Sequence, residues 1–336
     1  MYNVARLSDK DRDAIFTRYA FEYGNNKAII EKDFWVTLVL DYLFHKCKYK
    51  DYFIFKGGTS LSKCYNIINR FSEDIDLILR WDLLTDDNPD NERSNRQQDI
   101  YNKNINKLAA EFISNKLKPV MEEDFEKLLG KKIVISVDEN EPQVLNFMYP
   151  RIYDNNESGI LKYVRLEIGP LAALTPTEDV EISPLIASLN LKIYDNVKTI
   201  IKTVSPERTF WEKVMILNQE AHRPMEKKML PRYSRHYYDV YKISLTKYKD
   251  KAYSNLELLT KVRNFKKKFY PVSWAKYDTA VPGEFILVPD ARRIKELKED
   301  YENMKEMLND NSISFEQLMI EIKRIEIEIN NLEWIF

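Results

Sequence analysis

Apolar residues recur at helical spacing over residues 9–22 and 28–46, which predicts two helices. In the second, Ile30, Phe34, Leu38 and Tyr42 fall every four residues. The apolar run Asp51-Tyr52-Phe53-Ile54-Phe55 predicts a short buried strand that Lys56-Gly57-Gly58 breaks. Thr59 is suited to cap a helix reaching about Ile68, with Leu61, Cys64, Tyr65 and Ile68 on its apolar side. A second strand is predicted from Phe71 to Arg80, where Ile75, Leu77 and Leu79 alternate with Asp74, Asp76 and Ile78. Residues 85–97 are polar and read as a loop, and a helix follows over roughly 97–117. Further strands are expected at Lys132–Val137, Gln143–Tyr149 and Leu161–Ile168, with weaker signals at Val180–Ile182 and Lys198–Val204. Beyond Ser205-Pro206 the pattern is helical almost to the end, apart from an irregular stretch at Pro271–Pro289. The last helix, about 314–333, repeats Phe315, Leu318, Ile322, Ile325 and Ile329. This order predicts an α/β (α+β) domain with a mixed sheet over residues 1–204 and a helical domain over 205–336.

Composition narrows the class. With 44% hydrophobic and 31% charged residues, the 336-residue chain is globular and can bury a sizeable core. Two cysteines and three scattered histidines make neither a disulfide framework nor a zinc motif, which fits a reducing cytoplasm. Met1 to Arg6 lacks an apolar signal core, and the run Phe34–Phe44 is too short to span a bilayer. A soluble cytoplasmic protein with no membrane partner is therefore expected. The formal net charge of −1 excludes a global attraction to nucleic acid, so any such site must be a local patch.

The chemistry concentrates between Phe53 and Leu79. Of seven glycines, two adjoin at Gly57-Gly58, where backbone N–H groups can approach a phosphate without side-chain obstruction. Ser60 can add a hydroxyl, and Lys63 a positive charge. Asp74 and Asp76, two apart on a strand, leave the same face with Cα atoms about 6.6 Å apart. Two carboxylates that close repel unless a cation sits between them, and oxygen ligands favour Mg²⁺. Taken alone, Asp-x-Asp is more often a solvated pair; the glycine turn beside it shifts the reading to phosphate chemistry. No Walker A loop or dinucleotide fingerprint is present.

Lys213 follows the Ser205-Pro206 helix start and has Thr209, Phe210, Ile216 and Leu217 as its helical neighbours. A lysine so placed either meets an anion or snorkels out. Asp239 has Arg235 and Lys242 as helical neighbours, which by itself describes a surface ion pair. Glu167 alternates with Val164, Leu166 and Ile168 on its strand. By itself it reads as the solvent-facing acid of a half-buried strand or as a general base.

Gly57-Gly58-Thr59-Ser60-Leu61-Ser62-Lys63, followed by Arg70-Phe71-Ser72-Glu73-Asp74-Ile75-Asp76-Leu77, resembles the AbiEii/AbiGii toxin family of the DNA polymerase beta-like nucleotidyltransferase superfamily. Thr209-Phe210-Trp211-Glu212-Lys213 and Arg235-His236-Tyr237-Tyr238-Asp239 are similar to its third and fourth motifs, and Tyr270–Pro289 is similar to a later stretch. The resemblance implies a nucleotidyltransferase fold and an Mg²⁺- or Mn²⁺-dependent toxin of a toxin–antitoxin or phage-defence (abortive infection) system. It implies transfer from an NTP to RNA, in particular the tRNA 3′ end, and a cognate antitoxin. Transfer to a protein hydroxyl and a relict GTP- or RNA-binding module are the alternatives. On this resemblance Asp74, Asp76, Lys213 and Asp239 are catalytic, with Asp239 orienting Lys213 or the acceptor. Gly57, Gly58, Ser60, Lys63 and Lys213 hold the nucleotide, and Glu167 joins Asp74 and Asp76 at the metal. Basic residues interleaved with aromatics at 222–236 and 261–268, with Arg232, Arg235, Lys266 and Lys267 foremost, have the composition of an RNA-binding surface and equally of a solvated helix face.

Overall fold

A computed structural model describes residues 1–70, 72, 74–153, 161–193, 197–304 and 313–333. Within it the chain divides into two units, Met1–Cys64 with Glu73–Thr203, and Tyr65–Ser72 with Val204–Phe336. The sequence pattern places the division at 204; the structure also assigns 65–72 to the second unit.

The first unit is built on a mixed seven-stranded sheet. Its strands are β1 (Phe53–Lys56), β2 (Ile75–Leu79), β3 (Val134–Val137), β4 (Val144–Met148), β5 (Val164–Gly169), β6 (Thr177–Ile182) and β7 (Thr199–Val204). They lie in the order β3-β4-β5-β2-β1-β7-β6. β1 is antiparallel to β2 and β5 is parallel to it. β5 buries Val164, Leu166 and Ile168 and leaves Arg165 and Glu167 partly exposed, as strand alternation requires. β2 departs from simple alternation because Ile78 is buried along with Leu77 and Leu79, so past Asp76 both faces are covered. The expected strand positions Phe71 and Glu73 lie outside the described residues.

Helices α1 (Tyr2–Arg6), α2 (Asp9–Tyr23) and α3 (Lys27–Asp41) precede the sheet. Ser8 caps α2 by accepting the Asp11 N–H at 3.2 Å. α3 buries Ile30, Phe34 and Leu38, and a π-helical turn at Tyr42–Lys46 continues the stripe to Tyr42. α4 (Gly57–Lys63) joins β1 towards β2. α5 (Asn95–Phe112) starts with a Ser94–Gln97 capping box. It passes through a π-helical turn at Ile113–Leu117 into α6 (Lys118–Leu129), which Gly130 ends at φ 68°. Ile105, Ala109, Ile113, Leu117, Met121, Phe125 and Leu129 form one buried stripe at steps of four.

The second unit holds α7 (Pro206–Ala221), α8 (Ser234–Ser244), α9 (Lys247–Tyr253), α10 (Leu256–Phe269), α11 (Ala291–Met304) and α12 (Phe315–Asn330). Pro206 opens α7 where its missing N–H costs nothing. Ser205 occupies the cap position, but its buried hydroxyl makes no cap bond. α12 buries Phe315, Leu318, Ile322, Ile325 and Ile329, each worth roughly 1.5–3 kcal/mol of apolar burial. It also organises the irregular stretch before α11. Glu326 accepts the Leu287 and Val288 N–H groups at 2.7 and 3.1 Å, and Asn330 accepts those of Gly283 and Phe285 at 3.0 and 2.9 Å. Among the described residues no helix is long and apolar enough to cross a membrane.

Candidate functional site

The glycine turn and β2 converge in the first unit. Gly57 has φ 83°, a left-handed conformation that glycine adopts without strain. A Cβ there would lie 1.9 Å from Asp76 Oδ2 and 2.6 Å from its Cγ, so the carboxylate rests directly against the Gly57 backbone. Helix α4 begins at Gly57 rather than after Thr59, because the turn closes three residues earlier than a threonine cap would place it. Lys56 holds the cap position with no side-chain cap bond, and the helix ends at Lys63 rather than near Ile68.

Two residues predicted to hold the nucleotide are committed elsewhere. Ser60 is fully buried, and its hydroxyl donates to the Gly57 carbonyl at 2.9 Å, so it shapes the turn. Lys63 pairs with Asp33 of α3, whose other oxygen accepts the Leu185 N–H at 2.7 Å. Lys63 therefore ties the end of α4 to the preceding helix rather than standing as an open phosphate ligand. Nothing local in the sequence marks Asp33 for this role.

A single row crosses four strands. Lys56 of β1 pairs in register with Asp76 of β2, Asp76 with Glu167 of β5, and Glu167 with Val144 of β4. Register partners project on the same face. These four residues line a cavity of about 680 Å³. Asp74 lies immediately before β2. Glu167 is beside Asp76, yet its Oε1 accepts from Arg165 Nε at 3.0 Å, and Arg165 also reaches Asp138 at 3.3 Å and Glu141 at 2.8 Å. Among the described residues no three His, Cys, Asp or Glu side chains gather to hold a metal ion. The expected three-carboxylate set of Asp74, Asp76 and Glu167 is thus not assembled, because Arg165 engages Glu167. The oxygen donors of Asp74 and Asp76, with Asp76 pressed into the space a Cβ at position 57 would fill, still suit a hard divalent ion completed by water and phosphate.

The second unit carries a buried charge cluster. Asp239 of α8 is fully buried and accepts from both Nε and Nη2 of Arg70, each at 2.8 Å. Lys213 of α7 approaches its Oδ2 at 2.8 Å and His236 Nδ1 at 3.3 Å. Asp239 is therefore not a surface partner of Arg235 or Lys242, the pairing its helical neighbours suggest. The anion that Lys213 meets on its apolar helix is Asp239. Burial alone would raise the Asp239 carboxyl, but Arg70 and Lys213 together hold it well below the usual carboxylate range. Burial lowers the Lys213 ammonium, with Asp239 opposing. Burial, then Lys213 and Arg235, lower His236 far enough to keep it neutral. Arg70 and His236 lie within the second and fourth motifs, where nothing local marks either for this cluster.

The basic residues of this unit are partly neutralised. Arg232 adopts φ 64° and its N–H is held by Asp300; Arg235 lies on α8. Lys266 sits 5.5 Å from the Tyr270 ring centroid, and Lys267 pairs with Asp278. Lys227 lies 4.0 Å from the Trp274 ring centroid, a cation on an aromatic face.

The family described as nucleotidyl transferase AbiEii toxin of type IV toxin–antitoxin systems matches residues 40–321 of the chain. MenT4, a nucleotidyltransferase toxin from Mycobacterium tuberculosis H37Rv, is similar in structure with a TM-score of 0.52 over 97% of this chain and 91% of that chain. The two share 13% identity, so the likeness is one of fold. No curated protein matches the sequence.

Proposed function

The chain belongs to the AbiEii family of nucleotidyl transferase toxins of type IV toxin–antitoxin systems, and on that basis we propose that it transfers a nucleotide from an NTP to an RNA acceptor, the 3′ end of tRNA. The observation that carries this reading is the Asp76 carboxylate packed against the Gly57 backbone, which sets a cation ligand against the glycine turn. Asp74 and Asp76 hold Mg²⁺ or Mn²⁺, which when bound neutralises triphosphate charge and polarises the α-phosphate. The N–H groups of the Gly57-Gly58 turn bind phosphate oxygens, and Ser60 keeps that turn in shape through Gly57. Within the second unit Asp239 orients Lys213, the cation that the family resemblance assigns to the nucleotide. The acceptor hydroxyl loses its proton to Glu167 as its oxygen bonds to the α-phosphorus. The bond from that phosphorus to the bridging oxygen breaks, and pyrophosphate leaves. The enzyme works in the cytoplasm under the control of a cognate antitoxin.

Incubation with Mg²⁺, each labelled NTP and total RNA tests the proposal. Label is expected in RNA with the wild type and is expected to be lost with Asp76→Asn at unchanged melting temperature. Label in protein instead would redirect the acceptor, and no label with any nucleotide would reject transfer.

A further inference from the structure

Beside the row Lys56–Asp76–Glu167–Val144, the cavity is lined by Asn106 of α5 and Gln143 just before β4. The Gln143 carbonyl accepts the Ile168 N–H at 3.0 Å, so its position is set by the strand that carries Glu167. Its side-chain nitrogen donates to the Asn106 carbonyl at 3.1 Å and to Asn106 Oδ1 at 2.9 Å. A backbone carbonyl can only accept, which fixes the orientation of the Gln143 amide and, through it, that of Asn106. Both Gln143 N–H hydrogens are then spent. The locked pair keeps one acceptor atom, Gln143 Oε1, and one donor atom, Asn106 Nδ2, with its two N–H hydrogens.

An acceptor beside a donor on two mutually braced amides complements the edge of a nucleobase, where the same two groups stand side by side. Ala110, Pro142 and Val144 add apolar lining for a base face, and a volume of about 680 Å³ is that of a small-molecule site. A bond serving only to staple α5 to β4 would need no cavity at its side.

We infer that Asn106 and Gln143 read the base of a nucleotide seated in this cavity, next to Asp76 and Glu167. The identity of the occupant rests on the transfer reading above; its two sources are the incoming NTP and the terminal nucleotide of the acceptor. Equilibrium binding separates them. The four NTPs form one arm, four short RNAs differing only in the last nucleotide form the other, and inorganic tripolyphosphate is the base-free control. The wild type is expected to discriminate among bases in one arm. Gln143→Ala and Asn106→Ala are each expected to reduce that discrimination about tenfold, with tripolyphosphate binding and melting temperature unchanged. Discrimination in the NTP arm assigns the incoming nucleotide, and in the RNA arm the acceptor. A wild type indifferent to base in both arms, or variants that keep its preference, would overturn the inference. Because binding needs no turnover, base reading in a protein that transfers nothing would keep this site and reject the transferase instead.

Discussion

One methyl group at position 57 would overlap the Asp76 carboxylate and would also strain a backbone at φ 83°. Gly57→Ala must therefore move Asp76, and a displacement of about 1 Å at a reacting centre costs on the order of a hundredfold in rate. That loss is expected in the RNA-labelling assay, with a stability cost of about 1–3 kcal/mol. Asp239 is the counter-case, a residue whose first effect is on the fold. Asp239→Asn leaves Arg70 and Lys213 buried without their anion, and urea unfolding should show a loss of about 3–5 kcal/mol. Glu31 supplies a pH signature. Burial pushes its carboxyl up to about 7, against the N–H groups of Ile152 and Tyr153 and the charges of Arg12 and Arg151. The folded state therefore binds a proton that the unfolded chain releases above its ordinary value of 4.5. Its contribution is complete below that value and disappears as pH rises through about 7, a loss of roughly 3 kcal/mol. Urea midpoints measured from pH 4 to 8 should fall more steeply for the wild type than for Glu31→Gln.

At the scale of elements, local pattern revealed what local forces decide. The β5 alternation, the α12 stripe and the Asp-x-Asp of β2 were readable because each is a neighbour relationship along the chain. The start of α4 was misread because threonine is a good cap, whereas Gly57 is fixed by a carboxylate 19 positions on. Helix α6 lies beyond the predicted helix end near 117, and Pro119 just after that end does not break it. The proline sits in the first turn after a π-helical segment, where a missing N–H is tolerated. Arg70 and Asp33 carried no local sign of their roles, since their partners Asp239 and Lys63 lie 169 and 30 residues away. The Asp33 pair leads to a prediction of its own. Lys63→Ala should lower the melting temperature while leaving the KM for NTP within about threefold, since its charge is already committed. A large rise in KM with unchanged stability would return Lys63 to the phosphate.

At the scale of the whole molecule, a net charge of −1 gives RNA no overall attraction, so an RNA acceptor would have to be held by a patch. If Arg232, Arg235, Lys266 and Lys267 each meet a phosphate, the logarithm of RNA affinity should fall against log salt with a slope of about −3. Arg235→Ala with Lys266→Ala should bring the slope to about −1.4. Lys267→Ala should change it least, because Asp278 already neutralises that lysine. A slope near zero in the wild type would move the RNA surface elsewhere. Periodicity changes at Ser205-Pro206, whereas nothing local in the sequence groups Tyr65–Ser72 with the residues that follow Val204.

The wide turn at Ile113–Leu117 suggests where this chain tolerates a deletion. On a regular helix, positions taken every fourth residue creep about 40° round the axis at each step. A π-helical turn needs more residues to go round, which holds part of that creep back and keeps Ile113 and Leu117 inside. Removing Asn115, exposed within that turn, should let it tighten to ordinary pitch while Met121, Phe125 and Leu129 keep their seats. Removing Glu123, beyond it, should swing Phe125 and Leu129 about 100° into water. Comparing the melting of the two shortened chains would show whether that loop of backbone is slack the protein can lose.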